Sequence, residues 1–352
     1  MPISSETRIA YIDFIKGLAI FLVIWGHSIQ NFGLRDGSFF ENPVHILICS
    51  FHMPIFMVVS GFFFYRSFCL NFGPLLIGKL RQLMLPIFSW TLLMHLLDAI
   101  QNGVNPLSIK QEVYNICYGT MTNFWFIRSV FICYILTYLS KRTFSKDYTA
   151  CIVSIIFFLA LPDTFRLALD KFMLPFFWMG YFMHKYLDTL NRHKKTILMT
   201  SLIIWIILLC FWEKKYYIYV TGCSFYHIEH FRLVAENFFP RLQIVLFRYL
   251  IGITGSFVFF FFAQRIYRPF LHFIATIGQK TLGIYIIHIL LMGFIVPYLQ
   301  WPESNFYLFS FIYTPITAAG LLSVSFLLTL LLEKNKFTNL VFLGGRYNKD
   351  KS

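Results

Sequence analysis

Apolar residues in this chain fall into long blocks separated by short polar intervals. Ten blocks are long enough to cross about 30 Å of hydrocarbon as helices, near residues 11–31, 44–65, 83–100, 124–140, 148–162, 172–187, 196–212, 243–263, 274–298 and 306–332. The pattern predicts an all-α, polytopic membrane bundle of about ten transmembrane helices. Arg8 precedes the first block, Lys16 interrupts its start, and no small-residue cleavage site follows. The first block therefore reads as a retained span and not as a secretory signal.

Within that first span lie Asp13, Lys16 and His27. Ionisable groups inside a membrane are costly and need a reason. At 100° per residue the three fall within about 60° of one another, so they form one stripe that should face the bundle interior. Asp13 and His27 are separated by roughly 21 Å along the axis, too far for a contact pair.

Composition supports the membrane reading: 58% of residues are hydrophobic, 13% are charged, mean hydropathy is +0.65, and there are 44 Phe among 352 residues. No soluble core of this size needs so much apolar surface. With the N-terminus inside, 19 of the 30 Lys and Arg fall on inner segments, eight on outer loops, and Lys16, Arg128 and Arg248 within spans. The asymmetry predicts both termini in the cytoplasm. It also accounts for the net charge of +14 without nucleic acid as a partner. The seven cysteines show no metal-like spacing, and only Cys117 and Cys223 fall in outer regions where a bridge could form. No linker or internal repeat is evident, so residues 8–332 read as one membrane domain, followed by a short basic tail at 333–352.

Further polar groups interrupt later spans. His52 stands in Phe51-His52-Met53-Pro54, where Pro54 should kink the helix. Ser60-Gly61 suits close helix approach, with a ligand role for the Ser60 hydroxyl as the lesser reading. Tyr285 and His288 are three apart and share a face. His52 or His288 alone is as well explained by packing, whereas His27, His52 and His288 together favour a shared polar cavity. Arg128, in Trp125-Phe126-Ile127-Arg128, either lines that cavity's outer mouth or snorkels to the surface. Lys79, Arg81 and Gln82 open the third span; they suit phosphate binding, although from spacing alone ordinary topology anchoring is the better reading. His227-Ile228-Glu229-His230 in the long outer loop lacks the spacing of a zinc-protease helix.

Taken in order, these motifs resemble those of the acyltransferase 3 family of integral-membrane O-acyltransferases. The resemblance rests on Arg8/Asp13/Lys16-Gly17/His27, Phe51-His52-Met53-Pro54 with Ser60-Gly61, Arg81 to Pro86, Trp125 to Arg128, and Gly278 to His288. It runs from residue 8 to about 330. One departure stands out: where the family often carries R-x-x-R at the third span, this chain has Lys79 and Gln82, with Arg81 between them.

The resemblance implies transfer of an acyl group, usually acetyl from acetyl-CoA, to a hydroxyl of a cell-surface carbohydrate or its lipid-linked precursor, in the cell membrane. Acetyl-CoA would be a donor substrate, with no permanently bound cofactor and no metal. The implied catalytic set is His27 with Asp13 and Lys16, the latter two on the donor side. Arg81, Lys79 and Arg8 would hold the donor, while His52, Ser60, Trp125, Arg128, Tyr285 and His288 would line the substrate site. A neutral imidazole suits removal of a hydroxyl proton at physiological pH. Attack by His27 itself, giving an acyl-histidine, would use the same residue. A multi-pass transporter remains the alternative; it would predict paired broken helices in internal repeats. A polysaccharide polymerase or ligase would rely on long Arg-rich outer loops, and only residues 213–242 form a long one.

Overall fold

A computed structural model describes residues 5–34, 37–102, 109–163, 166–229, 232–235 and 237–345. The first half contains α1 (Ser5–Asn31), α2 (Pro43–Cys49), α3 (His52–Ser67), α4 (Phe72–Lys79), α5 (Leu85–Asn102), α6 (Ile109–Thr122), α7 (Trp125–Thr143) and α8 (Asp147–Ala160). The second half contains α9 (Leu167–Lys185), α10 (Leu187–Arg192), α11 (Lys194–Cys210), α12 (Phe238–Ile266), α13 (His272–Gln279), α14 (Thr281–Ile295), α15 (Phe306–Leu308), α16 (Thr314–Lys334) and α17 (Lys336–Leu343). One antiparallel hairpin, β1 (Tyr226–Glu229) with β2 (Arg232–Ala235), sits in the long loop before α12, with Tyr226 opposite Ala235.

Every apolar block of the sequence falls on helix, but length and apolarity qualify fewer of them as spans. Among the described residues five helices are long and apolar enough to cross a membrane, and up to seven if each of two bent pairs counts as one span. The helix α8 has 14 residues and α11 has 17, or about 21 and 26 Å at 1.5 Å per residue, short of the hydrocarbon thickness. The helix α9 carries Asp170 and Lys171 in its first turns. The chain is a multi-pass helical membrane protein with five to seven candidate spans among the described residues, where the sequence suggested ten.

Prolines set the irregular turns. The segment Pro43–Tyr65 breaks at Ser50–Phe51, four residues before Pro54, where the proline ring conflicts with the carbonyl of residue 50. Two wide π-turns, Leu80–Met84 and Phe309–Tyr313, precede Pro86 and Pro315, each of which lacks the N–H that would close the regular ladder. The bent pairs are α6 with α7, at 69°, and the Pro269–Gln279 segment with α14, at 66°.

Glycine sets the closest packing. A Cβ at Gly61 would overlap the Phe177 carbonyl, and one at Gly180 the Val58 carbonyl, so α3 and α9 meet backbone to backbone. Gly17 and Gly278 do the same for α1 and α13, against the carbonyls of Ile274 and Asp13. Around these contacts runs a core rich in Phe, Ile and Met. At the turn into α8, Asp147 accepts from Lys141 (2.6 Å), Lys185 (2.6 Å) and Tyr181 (2.8 Å). Burial pushes this carboxyl up, but the three hydrogen bonds outweigh it and hold the group at about 2.

Residues 336–345, expected as part of a tail, are ordered by contacts. Asn335 caps α17 through Phe337 N, and Gly344 ends it in the left-handed conformation (φ 65°). Trp90 Nε1 donates to Phe342 O at 2.9 Å, fastening the segment to α5.

Candidate functional site

Two cavities lie along the α1 stripe. One, of ≈ 580 Å³, is lined by His27, His45, His52, Trp125, Arg166 and Tyr217 among others. The second, of ≈ 450 Å³, is lined by Lys16, Ser60, Ser67, Lys79, Gln82 and Tyr134 among others. Met53 and Tyr285 line both, so the two chambers abut at these side chains.

On the wall of the first chamber, His27 Nδ1 lies 3.0 Å from Nε2 of the fully buried His288, with the rings stacked at 5.3 Å. His288 Nδ1 lies 3.0 Å from Ile284 O, a carbonyl one turn back on α14. A carbonyl can only accept, so Nδ1 of His288 carries the proton and Nε2 of the neutral ring is an acceptor. His27 must then donate through Nδ1, which leaves its Nε2 with an unprotonated lone pair. His52 shows the same first step: its Nδ1 donates to Ile48 O at 2.8 Å, leaving Nε2 as an acceptor on the chamber wall. Tyr285 packs edge-on against His288, with centroids 5.7 Å apart. The arrangement leaves an imidazole nitrogen able to accept a proton, its tautomer set by a hydrogen-bond relay anchored on backbone.

Asp13 and Lys16 are not brought to His27. Lys16 Nζ pairs with Asp13 Oδ1 at 2.7 Å, one turn apart on α1, and Lys16 lines the second chamber. Lys79 joins it there, its ammonium 3.9 Å from the Tyr134 ring centroid and 3.1 Å from Gln82 Oε1. Ser60 lines the same chamber and donates to Phe56 O at 2.9 Å.

Two expected site residues stand elsewhere. Arg81 points away from the second chamber because residues 79, 82 and 83 take the cavity face; its Nη2 donates to Gly345 O at 3.2 Å. Arg128 neither lines the mouth nor snorkels. It is 2% exposed and pairs with Asp170 Oδ2 at 2.7 Å, while Ser129 also donates to Asp170. A buried cation needs such a partner, and Asp170 supplies it. The Arg8 side chain lies outside the described residues, as do those of His227 to His230. Among the described residues, no group of three His, Cys, Asp or Glu is arranged to hold a metal ion, and the cysteines are free.

The loop over the first chamber is held by Arg248, which the sequence marked only as a cation within a span. It is 2% exposed on α12 and donates to the carbonyls of Tyr216 (2.9 Å), Tyr217 (2.9 Å) and Gly222 (2.9 Å). Asp163 adds a second anchor, accepting from Lys171 Nζ and from the amides of Cys223 and Ser224, each at 2.8 Å. Lys171, expected in an outer loop, is therefore buried. Tyr217 OH reaches His45 Nδ1 at 3.1 Å, tying loop to α2. Burial pushes the Cys223 thiol in this loop up to about 11, so it is a packing group and not a nucleophile at neutral pH.

The sequence profile of the acyltransferase 3 family, described as an acyltransferase domain, matches residues 9–332. The chain is 28% identical over 236 residues to the nodulation protein NolL of Sinorhizobium fredii (strain NBRC 101917 / NGR234), covering 61% of this chain and 60% of that protein. It is 28% identical over 235 residues to the NolL of Mesorhizobium japonicum (strain LMG 29417 / CECT 9101 / MAFF 303099), covering 62% and 60%. The chain thus spans about three fifths of the length of the curated relatives it matches. No solved structure matches.

Proposed function

This chain belongs to the acyltransferase 3 family, and from that premise we propose that it is a membrane O-acyltransferase carrying acetyl from acetyl-CoA to a hydroxyl of a cell-surface carbohydrate or its lipid-linked precursor. The observation that carries the reading is the lone pair left on His27 Nε2 by the relay to His288 and Ile284 O. In this reading His27 takes the proton of the acceptor hydroxyl as the oxygen attacks the thioester carbonyl. The tetrahedral intermediate collapses, the C–S bond breaks, and the proton passes from His27 to the departing CoA sulfur. His288 stabilises the transient imidazolium by accepting from His27 Nδ1, as an acceptor behind a catalytic histidine does in other acyl transfers.

The second chamber supports a donor side. Lys16 and Lys79 give it the positive charge that phosphates require, and the chamber meets the first at Met53 and Tyr285. The donor's phosphates stay among the lysines while its thioester reaches past Tyr285 towards His27. Acetyl-CoA is made in the cytoplasm, so both termini and the lysine chamber are placed on the cytoplasmic side of the cell membrane. The acceptor enters from the other face through the chamber under the Tyr217 loop. No step requires a bound cofactor.

The test is a mass comparison of surface glycans and lipid-linked glycans from cells with and without the protein, supplied with isotope-labelled acetate. A labelled acetyl increment present only with the protein supports the reading. Identical glycan masses together with no label transfer from acetyl-CoA in membranes would remove it.

A further inference from the structure

The wall of the first chamber carries two arginines, Arg166 and Arg248, and no Asp or Glu among the described lining residues. Arg248 is spent on the loop carbonyls described above, whereas Arg166 is exposed and, among the described residues, its side chain makes one long hydrogen bond, Nη1 to Thr122 O at 3.4 Å. The acids nearest to it in sequence are engaged elsewhere, Asp163 by Lys171 and Asp170 by Arg128. Its backbone is also unusual. Arg166 has φ 58° and ψ 26°, and it is the one non-glycine residue with positive φ among the described residues. Arginine, unlike asparagine, has no short polar side chain to favour that conformation. The surroundings impose it: the Arg166 carbonyl accepts from Arg128 Nη2 at 3.2 Å and from Leu169 N at 3.1 Å, and Arg128 is itself locked to Asp170. A buried ion pair is thus used to hold an unfavourable backbone that presents a guanidinium to the chamber mouth.

Resting on the reading of this chamber as the acceptor site, we propose that Arg166 recognises an anionic group on the acceptor: a carboxylate on the sugar, or the phosphate that joins the sugar to its lipid. A guanidinium pairs with either through two parallel hydrogen bonds, and no carboxylate in the wall opposes it. Trp125 and Asn123, on the same wall, offer a stacking face and an amide to the adjoining sugar ring.

The experiment measures binding to the full chain in lipid nanodiscs by titration calorimetry, with no acyl donor present. Two pairs of probes are compared: phenyl β-glucuronide with phenyl β-glucoside, and geranyl diphosphate with geraniol. The charged member of at least one pair is expected to bind roughly 10-fold or more tightly than its neutral partner. Arg166→Gly, which suits the left-handed backbone, should abolish the preference, and Arg166→Lys should keep part of it. Preference for the glucuronide puts the anion on the sugar; preference for the diphosphate puts it at the lipid linkage. Equal binding within both pairs, no binding of either charged probe, or a preference that survives Arg166→Gly would overturn the proposal. Because no transfer is measured, a failure of the acyl-transfer reading and a failure of this one are told apart.

Discussion

At the scale of single residues, the proposed chemistry turns on which nitrogen of His27 holds a proton. The sequence showed that His27, His52 and His288 were too polar for their spans, and helical spacing put Tyr285 beside His288. It did not show the His27–His288 contact, since the partners are 261 positions apart and only the packing of α1 on α14 brings them together. If His288 sets the tautomer, His288→Leu should lower kcat for acceptor acylation by roughly 10²–10⁴-fold with little change in acceptor KM. His288→Gln, whose amide oxygen still accepts a hydrogen bond, should recover part of that loss. Equal activity in wild type and the Leu variant would show that His288 only packs. The sequence put Lys79 and Arg81 together on the donor side, whereas position 79 shares a cavity face with 82 and 83 and position 81 faces the C-terminal segment. Lys79→Ala should raise KM for acetyl-CoA by about 10- to 100-fold, taking ~1.5–3 kcal/mol for a charge-assisted contact. Arg81→Ala should leave that KM unchanged; the reverse order would return Arg81 to the donor site.

At the scale of elements, the helices were legible because long apolar blocks leave few alternatives, while their irregularities were legible only in part. Pro54 announced a break; the π-turns before Pro86 and Pro315 were not foreseen, since a proline signals a lost hydrogen bond but not how the preceding turn relaxes. Ser60-Gly61 pointed to close packing, and the structure supplies the partner, Phe177 on α9. Gly17 and Gly278 belonged to two separate motifs whose shared role appears only when α1 and α13 cross. Gly278→Ala would drive a methyl into the Asp13 carbonyl and is expected to cost about 1–3 kcal/mol, shown as a lower melting temperature of the detergent-extracted protein. A neutral Gly278→Ala would mean that α1 and α13 do not cross so closely. Gly293→Ala, where a Cβ meets nothing within 4 Å, should be tolerated.

At the scale of the whole molecule, two chambers share Met53 and Tyr285, one carrying Lys16 and Lys79 and the other carrying histidines, aromatics, Arg166 and Arg248. The loop over residues 213–242 was only a long charged interval until Arg248 and Asp163 were seen to hold its residues 216–224 at the histidine chamber. In a cysteine-free background, Lys214→Cys should react with a membrane-impermeant maleimide added outside intact cells, and Lys194→Cys should react only after lysis. The opposite pattern would exchange the donor and acceptor faces. The central claim, that His27 performs the chemistry, is tested most directly by acceptor acylation in wild type, His27→Ala and His27→Gln, each normalised to folded protein extracted from membranes. Both variants should fall by at least roughly 10²-fold per folded molecule, because glutamine can hydrogen-bond to His288 but cannot take the hydroxyl proton. Substantial activity per folded molecule in the Gln variant would contradict the account and move the base to His288 or His52.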